Sequence, residues 1–237
     1  MSLALLDLTL PTLAENLALD EALLLEAEDG TTGEVLRFWE WPSAAVVLGA
    51  GGMLQADVDE DACRRDGVPL HRRSSGGGTV FLGSGCLLFS LILRYDRHPA
   101  LKDVNASYRL ILSRLILALS PVINAEQLGI SDLGSAGRKF SGNAQQRKRD
   151  HVLHHGTLLY AADLSMLSRY LHSPEKQPAY RDNRPHESFV MNLPPIDLKA
   201  VLRAEWQPET ALAEIPMGRV AELVDEKYGR EEWVRRR

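Results

Sequence analysis

Arg72-Arg73-Ser74-Ser75-Gly76-Gly77-Gly78 is the run of this sequence that ordinary packing explains least. Consecutive glycines are costly to order and bring no side chain to a core. Two uses remain open: a glycine-rich hairpin turn, or a stretch of backbone that a ligand approaches closely. In the second, successive N–H groups free of Cβ atoms cup an anionic oxygen, and Arg73 adds positive charge beside them. Named nucleotide loops do not fit. The run lacks the Lys and Ser/Thr of a Walker A loop, and Gly49-Ala50-Gly51-Gly52 is followed by Leu54 where a dinucleotide loop needs glycine or alanine.

Arg138-Lys139-Phe140-Ser141-Gly142-Asn143-Ala144-Gln145 alternates as a strand does, with Lys139 and Ser141 on one face and Arg138 and Phe140 on the other. A strand lysine taken alone reads as solvated, and so does the basic stretch Arg147-Lys148-Arg149. His151, His154 and His155 invite a zinc reading, but on a strand His154 faces away from the other two, and only Asp150 and Asp163 are near. The expectation is no metal site, with one histidine hydrogen-bonded in the core and the others facing water. Cys63 and Cys86 form no Cys-x-x-Cys pair and read as reduced thiols; Cys86, opening an apolar run, reads as buried and inert.

The elements that must carry these residues follow from periodicity. Ala14 to Glu28 reads as a helix with Leu17, Leu24 and Leu25 on one face, ended by Gly30 and Gly33. Glu34–Trp41 and Ala45–Leu48 read as strands, Ala56 to Asp66 as a short helix, and Val68–Arg73 as the strand entering the glycine run. Thr79–Leu82 leaves that run, and Gly83-Ser84-Gly85 turns into an apolar strand, Cys86–Leu93. Val104 to Leu119 is the clearest helix, stopped by Pro121. Strands are predicted near Asn124–Gln127, Arg138–Ser141 and Leu153–Tyr160, then a helix capped by Asp163 through Leu171. Pro174 to Pro195 reads as a surface loop, and 197–237 as a helical tail ending in Arg235-Arg236-Arg237. Strands and helices mix without strict alternation, which favours α+β over a doubly wound sheet.

A formal net charge of −5 and a pI near 5.8 imply no general attraction to nucleic acid or an anionic membrane. The apolar run Cys86–Leu93, interrupted by Ser90, falls far short of a membrane span, and Met1 to Pro11 lacks the features of a signal peptide. A cytoplasmic location is expected.

Taken together, these segments resemble the lipoate–protein ligase family, within the wider biotin/lipoate ligase group. Asn16-Leu17-Ala18 with Asp20-Glu21 resembles the family's first helix. Arg72 to Gly78, continuing through Val80-Phe81, is similar to its Arg-Arg-x-Ser-Gly-Gly-Gly signature. Arg138 to Ala144 resembles its Lys-x-Ser-Gly-x-Ala signature, and His154-His155-Gly156-Thr157-Leu158-Leu159 with Ala162-Asp163-Leu164 the segment after it. The resemblance runs from about Asn16 to Leu193. It implies a mixed, largely antiparallel sheet flanked by helices, like the catalytic cores of biotin ligases and class II aminoacyl-tRNA synthetases, in a single catalytic domain over 1–237.

The resemblance further implies coupling of lipoate to ATP, giving lipoyl-AMP and pyrophosphate, then acyl transfer to a lysine of a lipoyl carrier. That carrier would be a 2-oxoacid dehydrogenase E2 or a glycine cleavage H protein. Adenylation drives a carboxylate against an α-phosphate, and by this resemblance Lys139 would be the catalytic cation that bridges the two, with Mg2+ on the triphosphate. Arg73 and Gly76, Gly77, Gly78, Thr79, Val80 and Phe81 would line the nucleotide and acyl-adenylate site. Asp132 matches an acidic position near the nucleotide, and His155-Gly156 would close the pocket beside Lys139.

Gly49-Ala50-Gly51-Gly52 departs from the Gly-Arg-x-Gln that such ligases carry after the early strand, and the length leaves no room for the extra C-terminal domain of long ligases. Either the helical tail suffices or an accessory protein acts with the chain. Same-fold transferases that move octanoyl or lipoyl groups without ATP need a cysteine nucleophile. Gln127 to Arg138 contains none, and none follows Cys86, which favours the ligase. The absence of a Gly-Arg-Gly-Arg type loop disfavours biotin ligation. A non-catalytic protein binding acyl-adenylate or carrier is the third alternative.

Overall fold

The computed structural model describes residues 2–173 and 177–237. Strand β1 (Leu3–Asp7) leads to helix α1 (Leu13–Asp29). Thr12 opens α1 with a capping box shared with Glu15, and Gly30 ends it in the left-handed region at φ 80°. β2 (Glu34–Glu40) and β3 (Ala45–Leu48) come next, followed by α2 (Leu54–Asp57) and α3 (Glu60–Asp66). The single helix predicted over Ala56 to Asp66 is thus two pieces. Val58 is extended and bridges to Leu171, and the Asp59 carboxylate restarts the helix by accepting from Ala62 N.

β4 (Leu70–Arg72), β5 (Val80–Leu82), β6 (Cys86–Arg94) and α4 (Val104–Leu119) follow the predicted order. β7 (Glu126–Leu128), β8 (Asp132–Ser135), β9 (Arg138–Arg147) and β10 (His151–Leu159) form an antiparallel run. The chain ends through α5 (Ser165–Tyr170), α6 (His186–Phe189), α7 (Leu198–Trp206), β11 (Thr210–Ala211), α8 (Met217–Leu223), a π-helical turn (Val224–Tyr228) and α9 (Glu231–Val234). The stretch expected as a surface loop, Pro174 to Pro195, is largely anchored: Arg181, His186, Phe189, Val190 and Leu193 are buried, while Pro174 to Lys176 lie outside the described residues.

Eight strands build the main sheet in the order β11-β1-β2-β6-β10-β9-β8-β7. β1 is parallel to both its neighbours and the other pairings are antiparallel. Alternation in β2 sorts the two faces: Leu36 and Phe38 join the core under α4 and α7, whereas Val35 and Trp39 pack with α1 and α8. A small sheet, β4-β3-β5, stands beside the large one and carries the glycine run between its outer strands. The fold is therefore α+β, a mostly antiparallel sheet between helical layers.

Candidate active site

Lys139 and the glycine run meet in one cleft of about 710 Å3, its open mouth included. Gly77, Gly78, Thr79 and Val80 line one wall, and Ser131, Asp132, Lys139, Gly142, Asn143 and Ala144 the other. Its inner end is apolar, built from Leu17, Trp39, Val47, Leu82, Leu88 and Phe89.

The glycine wall is shaped from inside. Gly77 sits at φ +88°, a region an L side chain rarely adopts, and a Cβ on neighbouring Gly49 would stand 2.0 Å from Gly77 O. Arg73 runs beneath the turn, donating from one terminal nitrogen to the Gly76 and Gly78 carbonyls at 2.6 and 2.9 Å and from Nε to Ser75 Oγ at 3.0 Å. Burial lowers its pKa to about 10. Arg73 lines the cleft, with its donors spent on the Gly76, Gly78 and Val47 carbonyls and the Ser75 hydroxyl. Gly76 and Phe81 are placed differently from the expectation. Gly76 is exposed outside the lining, and strand alternation turns Phe81 away to stack on Tyr170 at 5.5 Å.

Lys139 Nζ pairs with Asp132 Oδ1 at 2.9 Å, and the other Asp132 oxygen accepts from Tyr180 Oη. A register shift opposite Leu133/Gly134 falls between Lys139 and Ser141. Lys139 consequently faces the cleft while Ser141 is buried, accepting from Asn143 Nδ2 at 3.1 Å. The sequence shows the alternation but not the bulge that separates the pair.

The histidines divide three ways. His154 is fully buried and burial pushes its pKa down to about 3, so its neutral ring accepts from Gln145 Nε2 at Nδ1 and donates from Nε2 to Asn143 Oδ1. That bond aims Asn143, whose amide also donates to Ser131 O at 2.8 Å. A Cβ on Gly156 would stand 2.1 Å from Asn143 Oδ1, which explains the glycine there. His155 lies on the opposite face of β10 and lines the cleft. Its Nδ1 is 3.4 Å from Asp20 Oδ2, and its Nε2 accepts from Ser75 Oγ at 2.6 Å. His151 is buried against Glu28 at 3.0 Å. Neither His151 nor His155 faces bulk water as expected, because α1 covers that side of the sheet. Among the described residues, no three of His, Cys, Asp and Glu gather as a metal site.

Asp20 is the buried group that sequence reasoning left without a role. Burial pushes its pKa up, but the guanidinium of Arg37 at 2.6 Å, His155 and the Ser90 hydroxyl outweigh it and hold the carboxyl below its usual range. Asn16 and Asp20 stand one helical turn apart on the buried face of α1. Polar residues spaced i, i+4 among leucines were the available signal. Cys63 and Cys86 are both buried and neither lines the cleft; burial raises their thiols to about 11 and about 12.

The family model of the lipoyl protein ligase A/B catalytic domain matches residues 12–207. The chain belongs to this family. A "Probable lipoate-protein ligase A" of Mycoplasma pneumoniae is 37% identical over 157 residues, which are 66% of this chain and 45% of the relative. An octanoyltransferase LipM of Carboxydothermus hydrogenoformans is 35% identical over 176 residues, 67% of this chain and 65% of that one. The chain therefore spans about half the length of the Mycoplasma relative and just under two thirds of the transferase.

Among solved structures, a bi-partite lipoate protein ligase studied with its E2 lipoyl domain from Thermoplasma acidophilum is 25% identical, with a TM-score of 0.81 over 99% of this chain and 96% of that one. A lipoate-protein ligase A bound with ATP is 26% identical, with a TM-score of 0.77 over 99% of both chains. The fold is that of lipoate ligases, and the relatives of this family include both lipoate ligases and octanoyltransferases. No helix among the described residues is long and apolar enough to cross a membrane.

Proposed function

We propose that the protein is an ATP-dependent lipoate–protein ligase of one catalytic domain, 1–237, acting in the cytoplasm. The observation that carries this reading is the cleft in which Lys139 faces Gly77-Gly78 across an opening with an apolar inner end. The alkyl stem and dithiolane of lipoate lie along Leu17, Trp39, Val47 and Leu88, and the carboxylate points back toward Lys139. A carboxylate oxygen bonds the α-phosphorus of ATP, the bond to the β-phosphate bridging oxygen breaks, and pyrophosphate leaves. The Lys139 cation holds both repelling anions, and the Gly77-Gly78 N–H groups take the phosphoryl oxygens. Asp132, relieved of Lys139, accepts from donors of the nucleotide. His155 and Gly156 close the pocket. The carrier lysine then attacks the acyl carbonyl, forms the amide, loses its proton and releases AMP.

Mg2+ carried by the triphosphate would neutralise part of its charge in the cleft. The partner is a lipoyl domain of the E2 or H-protein type. An accessory chain is a further proposed partner, by analogy with the bi-partite Thermoplasma ligase.

The likeness to an octanoyltransferase supplies the second reading, an acyl transfer without ATP. Against it stand the two thiols, buried, raised in pKa and away from the cleft. Mixing protein, ATP, Mg2+ and lipoate decides between them: pyrophosphate release supports the ligase. Octanoyl transfer from an acyl carrier without ATP would establish the transferase, and tight ligand binding with neither reaction a non-catalytic binder.

A further inference from the structure

Beyond α9 the arginines of the tail lie across the Gly49-Ala50-Gly51-Gly52 turn. Arg235 is spent on Glu60 and Glu231, each at 2.8 Å. Arg236 stacks its guanidinium 3.8 Å from the centre of the Trp233 ring and donates to Ala50 O. Arg237 reaches the same turn, with one terminal nitrogen 3.7 Å from where a Gly51 Cβ would stand, while its carbonyl accepts from Leu54 N at 3.1 Å. Among the described residues neither Arg236 nor Arg237 pairs with a carboxylate.

A third arginine lies beneath them. Arg72 is buried and donates to Gly49 O, Gly52 O and Val234 O, which fastens the tail to the turn. Its pKa is lowered by burial first and then by Arg236 and Arg237, with Asp57 opposing. Asp57 in turn accepts from Thr79 Oγ1 at 2.8 Å. The turn packs directly on the glycine run, since Ala50 N donates to Ser75 O at 2.8 Å and Gly49 touches Gly77 O. Two guanidinium groups with no carboxylate partner among the described residues therefore stand against the turn that packs on the glycine run, in a chain whose net charge is −5. Guanidinium forks match phosphate oxygens in geometry as well as charge.

We propose that Arg236 and Arg237 form a polyphosphate rim on the cleft. Resting on the ligase reading, they hold the β- and γ-phosphates of the nucleotide, and after adenylation the departing pyrophosphate, while Lys139 and Gly77-Gly78 hold the α-phosphate.

Calorimetric titration of the full chain with ATP, AMP and inorganic pyrophosphate tests the rim. The Arg236→Ala/Arg237→Ala double variant should lose about tenfold in affinity for ATP and pyrophosphate and keep its affinity for AMP, which lacks the outer phosphates. Because Arg236 also braces Trp233, Arg237→Ala alone is the second variant, with a smaller loss in the same pattern. Equal losses for ATP and AMP mark a tail that has merely loosened and overturn the rim. So do unchanged affinities for all three, or a defect confined to binding a lipoyl domain, which would make the patch a carrier dock. Wild-type protein that binds pyrophosphate but catalyses no adenylation leaves the rim standing and sinks the ligase reading. Wild-type protein that binds no pyrophosphate removes the rim whatever the reaction.

Discussion

Lys139 owes its place partly to a side chain that is missing. A Cβ on Gly142 would stand 2.8 Å from Nζ, so the glycine leaves the ammonium the room it occupies beside Asp132. Lys139→Ala should lower adenylation, read as pyrophosphate release, by about 10²–10³-fold with an unchanged thermal midpoint. A variant with normal turnover would remove the mechanism. Gly77→Val should abolish ATP binding, because valine at φ +88° cannot keep the turn open; unaltered affinity in titration counts against the cradle. Cys86→Ser should leave ligation unchanged while costing about 1–3 kcal/mol of stability by burying a hydroxyl, and a folded but inactive variant would revive thiol chemistry. Residue types were the legible part of the site: a lysine, a glycine run and a His-Gly pair do meet in one cleft. Phe81 and the direction of the Arg73 donors were not legible, because they depend on which way a short strand faces and on where loop carbonyls end up.

At the scale of elements, α4 appears over the residues its periodicity marks, and α1 within a residue of them at either end. β8 was not legible, because Asp132-Leu133-Gly134-Ser135 is too short and too polar to advertise a strand and is held by pairing to β7 and β9. β9 runs on to Arg147, well past the predicted Ser141, because β10 supplies partners for its polar half. The turn between β5 and β6 admits no side chain at Gly85, where φ is +83° and a Cβ would lie 2.1 Å from the Ala161 carbonyl carbon. Gly85→Ala should therefore destabilise by about 2–4 kcal/mol in urea unfolding, since strain and overlap add. A change under 0.5 kcal/mol would mean that the turn relaxes freely.

The whole molecule carries charged and neutralised groups inside it, and its stability should depend on pH accordingly. His154 has a folded pKa near 3 against an ordinary value of 6.5, so the unfolded chain binds more protons between those limits. Its contribution is complete above pH 6.5 and is lost progressively as pH falls toward 3. Asp20 and Glu21, both lowered in the fold, add losses of the same sign in more acidic solution. Denaturant midpoints should fall steadily from pH 7 to pH 4, and His154→Gln should flatten that slope; an equally steep slope would place the titrating group elsewhere. β1 is a strand of this assembly that the sequence did not announce, and its outer edge is covered by β11 through Ala4–Thr210 and Leu5–Ala211. Synthesis delivers those partners some two hundred residues apart. Until the segment of β11 has been made, β1 keeps an unpaired row of amides and carbonyls along that edge, a ready template for pairing with other chains.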